Sequence, residues 1–76
     1  MDVPFEDLLI EVDEDGQTLQ LLNGSRWRVD VTYITTVIVW TPTATIRVSL
    51  EHPDGAFPYV LTNVSIGVSV RAAPSA

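Results

Sequence analysis

Turn signals recur along this chain at spacings that leave room only for short strands. Asp13-Glu14-Asp15-Gly16, Asn23-Gly24, His52-Pro53-Asp54-Gly55 and the stretch 63–67 each carry residues that preset or tolerate turn backbone. Asn23-Gly24 is the sharpest of these, because a type I′ hairpin turn needs positive φ at both central positions. Between the turns, apolar and polar residues alternate with a period of two. Leu8, Ile10 and Val12 alternate with Leu9, Glu11 and Asp13, and residues 18–21 continue the pattern. Trp27, Val29 and Val31 oppose Arg26, Arg28 and Asp30, so a one-residue slip there would bury three charges. Ile46, Val48 and Leu50 oppose Arg47, Ser49 and Glu51. Tyr59 and Leu61, with Phe57, oppose Pro58, Val60 and Thr62. Val68 and Val70 oppose Ser69 and Arg71.

Residues 34–40, Ile-Thr-Thr-Val-Ile-Val-Trp, depart from this pattern, being apolar in both phases at their end. That is how a strand reads when both of its faces are covered, and Thr41-Pro42-Thr43-Ala44 then breaks it. Phe5, Leu8, Leu9 and Val12 also fit a helical spacing, but the stretch is short for a helix and the strand reading is preferred. The expectation is an all-β fold, a small antiparallel meander of six or seven short strands closed into a barrel or packed as a small sandwich. It comprises one domain over 1–76, with an acidic arm at 1–7, a barrel at 8–72 and a frayed tail at 73–76.

The apolar content is high for so small a core. Of 76 residues, 46% are hydrophobic, and no Cys is present to staple the fold. A domain near 60 residues buries only about 60% of its unfolded surface. Cover for the two-faced segment therefore has to come from elsewhere, and a symmetric homo-oligomer, a dimer first, is the simplest source. The residues expected to carry self-association are Val37, Ile38, Val39 and Trp40, with Val60 on the outward phase of its strand. The competing reading is a small-molecule or peptide cleft lined by Trp27, Trp40 and Tyr59.

Charge narrows the partners. The formal net charge is -6. Asp2, Glu6, Asp7, Glu11, Asp13, Glu14 and Asp15 all precede Gly16 with no cation among them, while the rest of the chain is nearly neutral. Without a basic surface, nucleic acid is not an expected partner. The concentrated acids admit a third reading, an acidic inhibitor occupying the basic site of a nucleic-acid-binding protein. The first residues are acidic where a leader peptide carries cations. The longest uncharged run, 31–46, is shorter than the roughly 20 apolar residues of a membrane-spanning helix. A cytoplasmic protein without a membrane partner is expected.

The inventory of chemical groups is thin. Cys and Lys are absent, which removes thiolate and amine nucleophiles. Glu11-x-Asp13-x-Asp15-Gly16 has the alternate oxygens of a calcium loop, but Leu22 stands where the bidentate Glu is required, so it reads as an acidic turn. His52 is the sole histidine, beside a turn, with no second ligand type near it. Ser25, Ser49, Ser65 and Ser69 lie in no nucleophile-elbow context, and no Gly-rich phosphate loop occurs. No catalytic residue, metal site or cofactor is expected. The leading reading is a non-catalytic, self-associating interaction or structural module.

Gly24-Ser25-x-Trp27-x-Val29, Trp40-x-Pro42, Ile46-x-Val48, Tyr59-x-Leu61-x-Asn63 and Gly67-x-Ser69-Val70 together resemble a pattern in small uncharacterised bacterial β-barrel proteins. The resemblance runs from Leu19 to Ala72 and implies a compact barrel of the Sm or Src-homology type, with no function attached. The chain departs from that pattern at 41–45, where a Gly-acid turn is expected and Thr-Pro-Thr-Ala-Thr stands instead.

Overall fold

The computed structural model describes residues 4–75. It is a closed antiparallel barrel of six strands: β1 (Phe5–Val12), β2 (Thr18–Leu21), β3 (Arg26–Val29), β4 (Thr45–Leu50), β5 (Tyr59–Asn63) and β6 (Val68–Ser75). Around the barrel the order is β1-β2-β3-β6-β5-β4. The chain thus makes two three-stranded meanders, β1–β3 and β4–β6, joined by the long connection 30–44.

Closure depends on two long strands that each serve two neighbours. β1 pairs with β4 through Phe5 to Leu8, then with β2 through Leu9 to Val12. β6 pairs with β5 through Val68 to Ala72, then with β3 through Ala72 to Ser75. Every strand therefore has partners on both sides, which removes the free edges that invite aggregation. Two expected boundaries move as a result. Phe5, Glu6 and Asp7 belong to β1 and not to a separate arm, and Ala73, Pro74 and Ser75 are paired with β3 and not frayed. Pro74 is tolerated because β5 pairs only as far as Ala72, so the missing N–H disrupts no ladder on that side. Residues 1–3 and 76, at the outer limits of those segments, lie outside the described residues.

A larger correction concerns residues 34–40. They form no strand. Asp30 caps a 3-10 turn at Val31–Tyr33 by accepting the Thr32 N–H at 3.1 Å. A single α-turn, α1 (Ile34–Val37), follows, with the Ile38 N–H donating to the Ile34 carbonyl at 3.0 Å. The physical reason lies in the topology. Closure already uses the second edge of β3 and of β4, so a strand at 34–40 would have no partner for its backbone groups. The turn satisfies those groups locally and places Tyr33, Val37 and Trp40 at i, i+4 and i+7, on one face. Val37 and Trp40 are buried in the core and Tyr33 packs against it, while Ile38 and Val39 face outward.

The barrel interior is filled by the inward phase of the strands. Val48, Leu61 and Val70 form one continuous row across β4, β5 and β6, and Ile46 lies beside them next to buried Asn63. Leu9, Leu19, Leu21, Trp27 and Val29 fill the other side. Burial of each such aliphatic side chain contributes about 1.5–3 kcal/mol. Trp27 meets Tyr59 edge-on, with ring centroids 5.0 Å apart at 67°.

Candidate functional site

The residues expected to form one assembly face do not share a face. Val37 and Trp40 point into the core, at 0% and 5% exposure, whereas Ile38 and Val39 are exposed at 46% and 72%. Val60 is on the outer side of β5, half-buried and opposite Arg71. The expected ligand cleft likewise does not exist as a cleft. Trp27 and Trp40 are core side chains, and Tyr59 is half-buried against Trp27. An open depression of about 390 Å³ is instead lined, among the described residues, by Pro4, Phe5, Glu6 and Arg47.

Trp27 has a structural role that accounts for the Gly-Ser-x-Trp motif. Its indole Nε1 donates to Ser25 Oγ at 3.0 Å, and Ser25 Oγ donates to Asn23 Oδ1 at 2.6 Å. The Ser25 N–H donates to the same oxygen at 2.9 Å, and the Asn23 N–H donates to Asp7 Oδ2 at 2.7 Å. Asp7, Asn23, Ser25 and Trp27 thus form a polar chain that ties the β2–β3 hairpin to β1. A buried tryptophan needs such a partner for its N–H. Trp40 lacks one: its Nε1 is buried with no hydrogen-bond partner.

The acidic segment is largely engaged with the barrel. Glu6 accepts from Arg47 Nε and Nη2 at 3.1 and 2.9 Å, and Asp13 stands 3.7 Å from Arg26. Asp7 accepts the Leu8 and Asn23 N–H groups, and Asp15 accepts the Gln17 N–H. These carboxylates hold strands and turns in place. Among the described residues, no group of three or more His, Cys, Asp or Glu side chains is gathered as a metal would need. None of the described helices is long and apolar enough to cross a membrane.

Exposed apolar side chains occur on the 30–44 connection (Val31, Ile38, Val39) and at Leu50, and a further set lies on β1 and the turns beside it. Leu8, Ile10, Leu22, Val64 and Ile66 are between 39% and 60% exposed. Backbone hydrogen bonds show that the first of these form a continuous row. The Leu22 N–H donates to the Leu8 carbonyl at 2.9 Å, Leu8 pairs with Thr45, and the Val64 N–H donates to the Thr45 carbonyl at 2.9 Å. Leu22, Leu8, Thr45 and Val64 therefore run side by side across the barrel wall, with Ile10 and Ile66 two residues on from Leu8 and Val64.

Alternation alone places Leu8, Ile10 and Val12 on one side, which holds for exposed Leu8 and Ile10, while a β-bulge turns Val12 the other way. The register of β1 against β2 shifts between Leu9 and Glu11, with Leu9 opposite Leu21 and Glu11 opposite Gln20. The extra residue, Ile10, turns outward, so that Leu9 and half-buried Val12 both reach the core. The available signal was the consecutive pair Leu8-Leu9, one member of which must face solvent on any strand. No protein family, curated protein or solved structure matches the chain.

Proposed function

We propose that this chain is a non-catalytic β-barrel module that assembles with a second copy of itself through the row Leu22, Leu8 and Val64, with Ile10 and Ile66 at its margins. The single observation carrying this reading is the continuity of that row on a barrel whose strands already have partners on both sides. Since no edge is free, assembly proceeds by side-chain packing and not by strand addition.

The surroundings of the row favour a second copy over a charged partner. The neighbouring outer row carries Glu6 and Arg47 paired to each other at 2.9 Å, then Thr62 and Ser69 hydrogen-bonded at 2.8 Å. These polar groups are mutually satisfied, so an identical face meets no uncompensated charge there. Exposed Glu11 borders the row beside Ile10, and the acidic turn at Asp13 is five residues from Leu8 along the chain, about 17 Å at strand rise. A patch of this kind supplies a few hundred Å², so it serves as the apolar centre of an interface of about 800 Å² per partner, with the satisfied polar row as its rim.

The other two readings have less support. The cleft reading loses Trp27 and Trp40 to the core, and the inhibitor reading loses Glu6, Asp7, Asp13 and Asp15 to contacts within the barrel.

Light scattering coupled to size exclusion tests the proposal on wild type, Leu22→Glu and Val39→Glu. The expected result is a dimeric wild type, a folded monomeric Leu22→Glu and a Val39→Glu that remains dimeric. A monomeric wild type overturns the proposal, and so does a dimer that survives Leu22→Glu but is split by Val39→Glu.

A further inference from the structure

The four arginines fall into two pairs with different surroundings. Arg26 is matched by Asp13 and Arg47 by Glu6. Among the described residues, no carboxylate lies within ion-pair distance of Arg28 or Arg71. Both belong to the outer face of the β3–β6 pair: Arg28 stands opposite Ala73, and Arg71 is two residues before Ala73 on β6. The two positions are diagonal neighbours on one sheet face, a backbone spacing of about 7–8 Å that long side chains can bridge, so two positive groups share this face with no carboxylate paired to either.

The β4–β5 loop, 51–58, packs against both. The Arg28 guanidinium carbon sits 5.0 Å from the centre of the Phe57 ring. Gly55 lies so close to Arg71 that a Cβ there would stand 2.8 Å from Nη2. Beneath the loop, Arg71 Nε is buried with no hydrogen-bond partner. One N–H of this guanidinium therefore has neither access to water nor an acceptor. The nearby acids do not supply one either. Glu51 accepts the Ser49 hydroxyl at 2.6 Å, Asp30 caps the Thr32 N–H, and Asp54 is exposed on the loop without a contact to either arginine.

We propose that Arg28 and Arg71, with the loop residues Gly55 and Phe57, form a binding site for a phosphate group, free or as the terminal group of a phosphate ester. A phosphate carries about -1.5 to -2 at neutral pH, which matches two guanidinium charges. Its several oxygens suit planar forks that bond two acceptors at once. The absence of Lys fits this chemistry, since directed bidentate contacts are what arginine adds over a point charge. The site uses strands and a loop other than those of the aliphatic row, so its test is independent of the oligomeric state.

The experiment is an NMR titration of the labelled full chain, following the arginine Nε–H signals and the backbone amides at constant ionic strength. The probes are inorganic phosphate, phenyl phosphate and acetate. The expected result is saturable movement of the Arg28, Arg71 and Phe57 signals with both phosphates, little with acetate, and none at Arg26 or Arg47. Arg28→Gln, at an exposed position that leaves the core untouched, should weaken phosphate binding about tenfold, as expected for losing a charge-assisted contact. Tighter binding of phenyl phosphate than of inorganic phosphate identifies an ester ligand, and equal binding identifies the free ion. Movement that does not saturate, that acetate reproduces, or that Arg28→Gln leaves unchanged overturns the proposal.

Discussion

Two segments of this chain are apolar in both phases, and they fold differently. In β1, the run Leu8-Leu9-Ile10 stays extended and sends Leu8 and Ile10 to the surface. In 34–40, a comparable run coils into a turn that buries Val37 and Trp40 and exposes Ile38 and Val39. Intrinsic preference does not separate them, because β-branched residues are if anything richer in the segment that coils. Partner availability does. β1 has β2 and β4 to pair with, whereas 34–40 is reached only after the edges that could have received it are assigned to β6 and β1. Where a backbone can be paired across a sheet, apolar excess goes to the outside. Where it cannot, the chain bonds to itself and its period changes from two to near 3.6.

The largest expected effect comes from removing the anchor of the coiled segment. Trp40→Ala should destabilise the fold by about 3–5 kcal/mol. Ile10→Ala, in the extended segment, should stay within about 1 kcal/mol because its side chain is already 42% exposed. Urea denaturation of the two variants measures both. Trp40→Phe sharpens the contrast. It keeps most of the apolar volume and removes an indole N–H that has no partner, so it should lose much less than Trp40→Ala. Equal losses for Trp40→Ala and Ile10→Ala would show that the turn is not a core element.

This contrast also shows what the sequence could reveal. Strand alternation was readable wherever a charged residue marked the outward phase, as in Arg26-Trp27-Arg28-Val29 and Ile46-Arg47-Val48. Those stretches occupy the predicted faces because a slip would bury an ion. The turn at Asp13–Gly16 was readable because its backbone demands a glycine, and Gly16 has φ +71. The hairpin at Asn23-Gly24 stands where expected, but it is not the type I′ turn: only Gly24 has positive φ, at +89, and the Gly24 N–H donates to the Leu21 carbonyl. The bulge at Ile10 and the coil at 34–40 were not readable, since neither run contains a charge to fix its phase. The helical signal, Tyr33-Val37-Trp40 behind a capping Asp30, was present but hidden by the neighbouring Ile38 and Val39. The candidate assembly row was concealed further, because it is assembled from β1 and two turns that meet only when the barrel closes. The arginine pair was legible as two outward charges, but their convergence under one loop follows from β3 pairing with β6, far apart in sequence.

The coiled segment rests on Gly16, in the turn that follows β1, and this contact supplies the next largest effect. Gly16 has φ +71, and a Cβ there would meet Ile34 Cγ2 at 3.0 Å, the Ile34 carbonyl at 3.1 Å and Ile38 Cβ at 3.1 Å. Gly16→Ala therefore faces a left-handed backbone, worth about 1–2 kcal/mol, together with a steric demand that α1 move away from the β1–β2 turn. The expected result is a loss of at least about 2 kcal/mol in urea denaturation, with the increment above the backbone share reporting the contact. An unaffected midpoint would mean that α1 does not rest on this turn.

The smallest effect, and one of opposite sign, belongs to the point where the coiled segment rejoins the sheet. The Thr43 N–H donates to the Leu9 carbonyl at 2.8 Å, and the Leu9 N–H donates to the Ala44 carbonyl at 2.9 Å. The exit from the coil is thereby hydrogen-bonded to β1 immediately before its bulge. Thr43 adopts φ +74 to make this connection, alone among the described non-glycine residues. The left-handed conformation disfavours a β-branched residue by about 1–2 kcal/mol, and glycine returns part of that through its greater freedom when unfolded. Thr43→Gly should therefore stabilise the protein by up to about 1 kcal/mol, without moving the Leu9 or Ala44 amide signals in an NMR spectrum. Destabilisation would indicate that the threonine side chain itself holds the junction, and that bulge and coil are coupled by more than the two backbone hydrogen bonds.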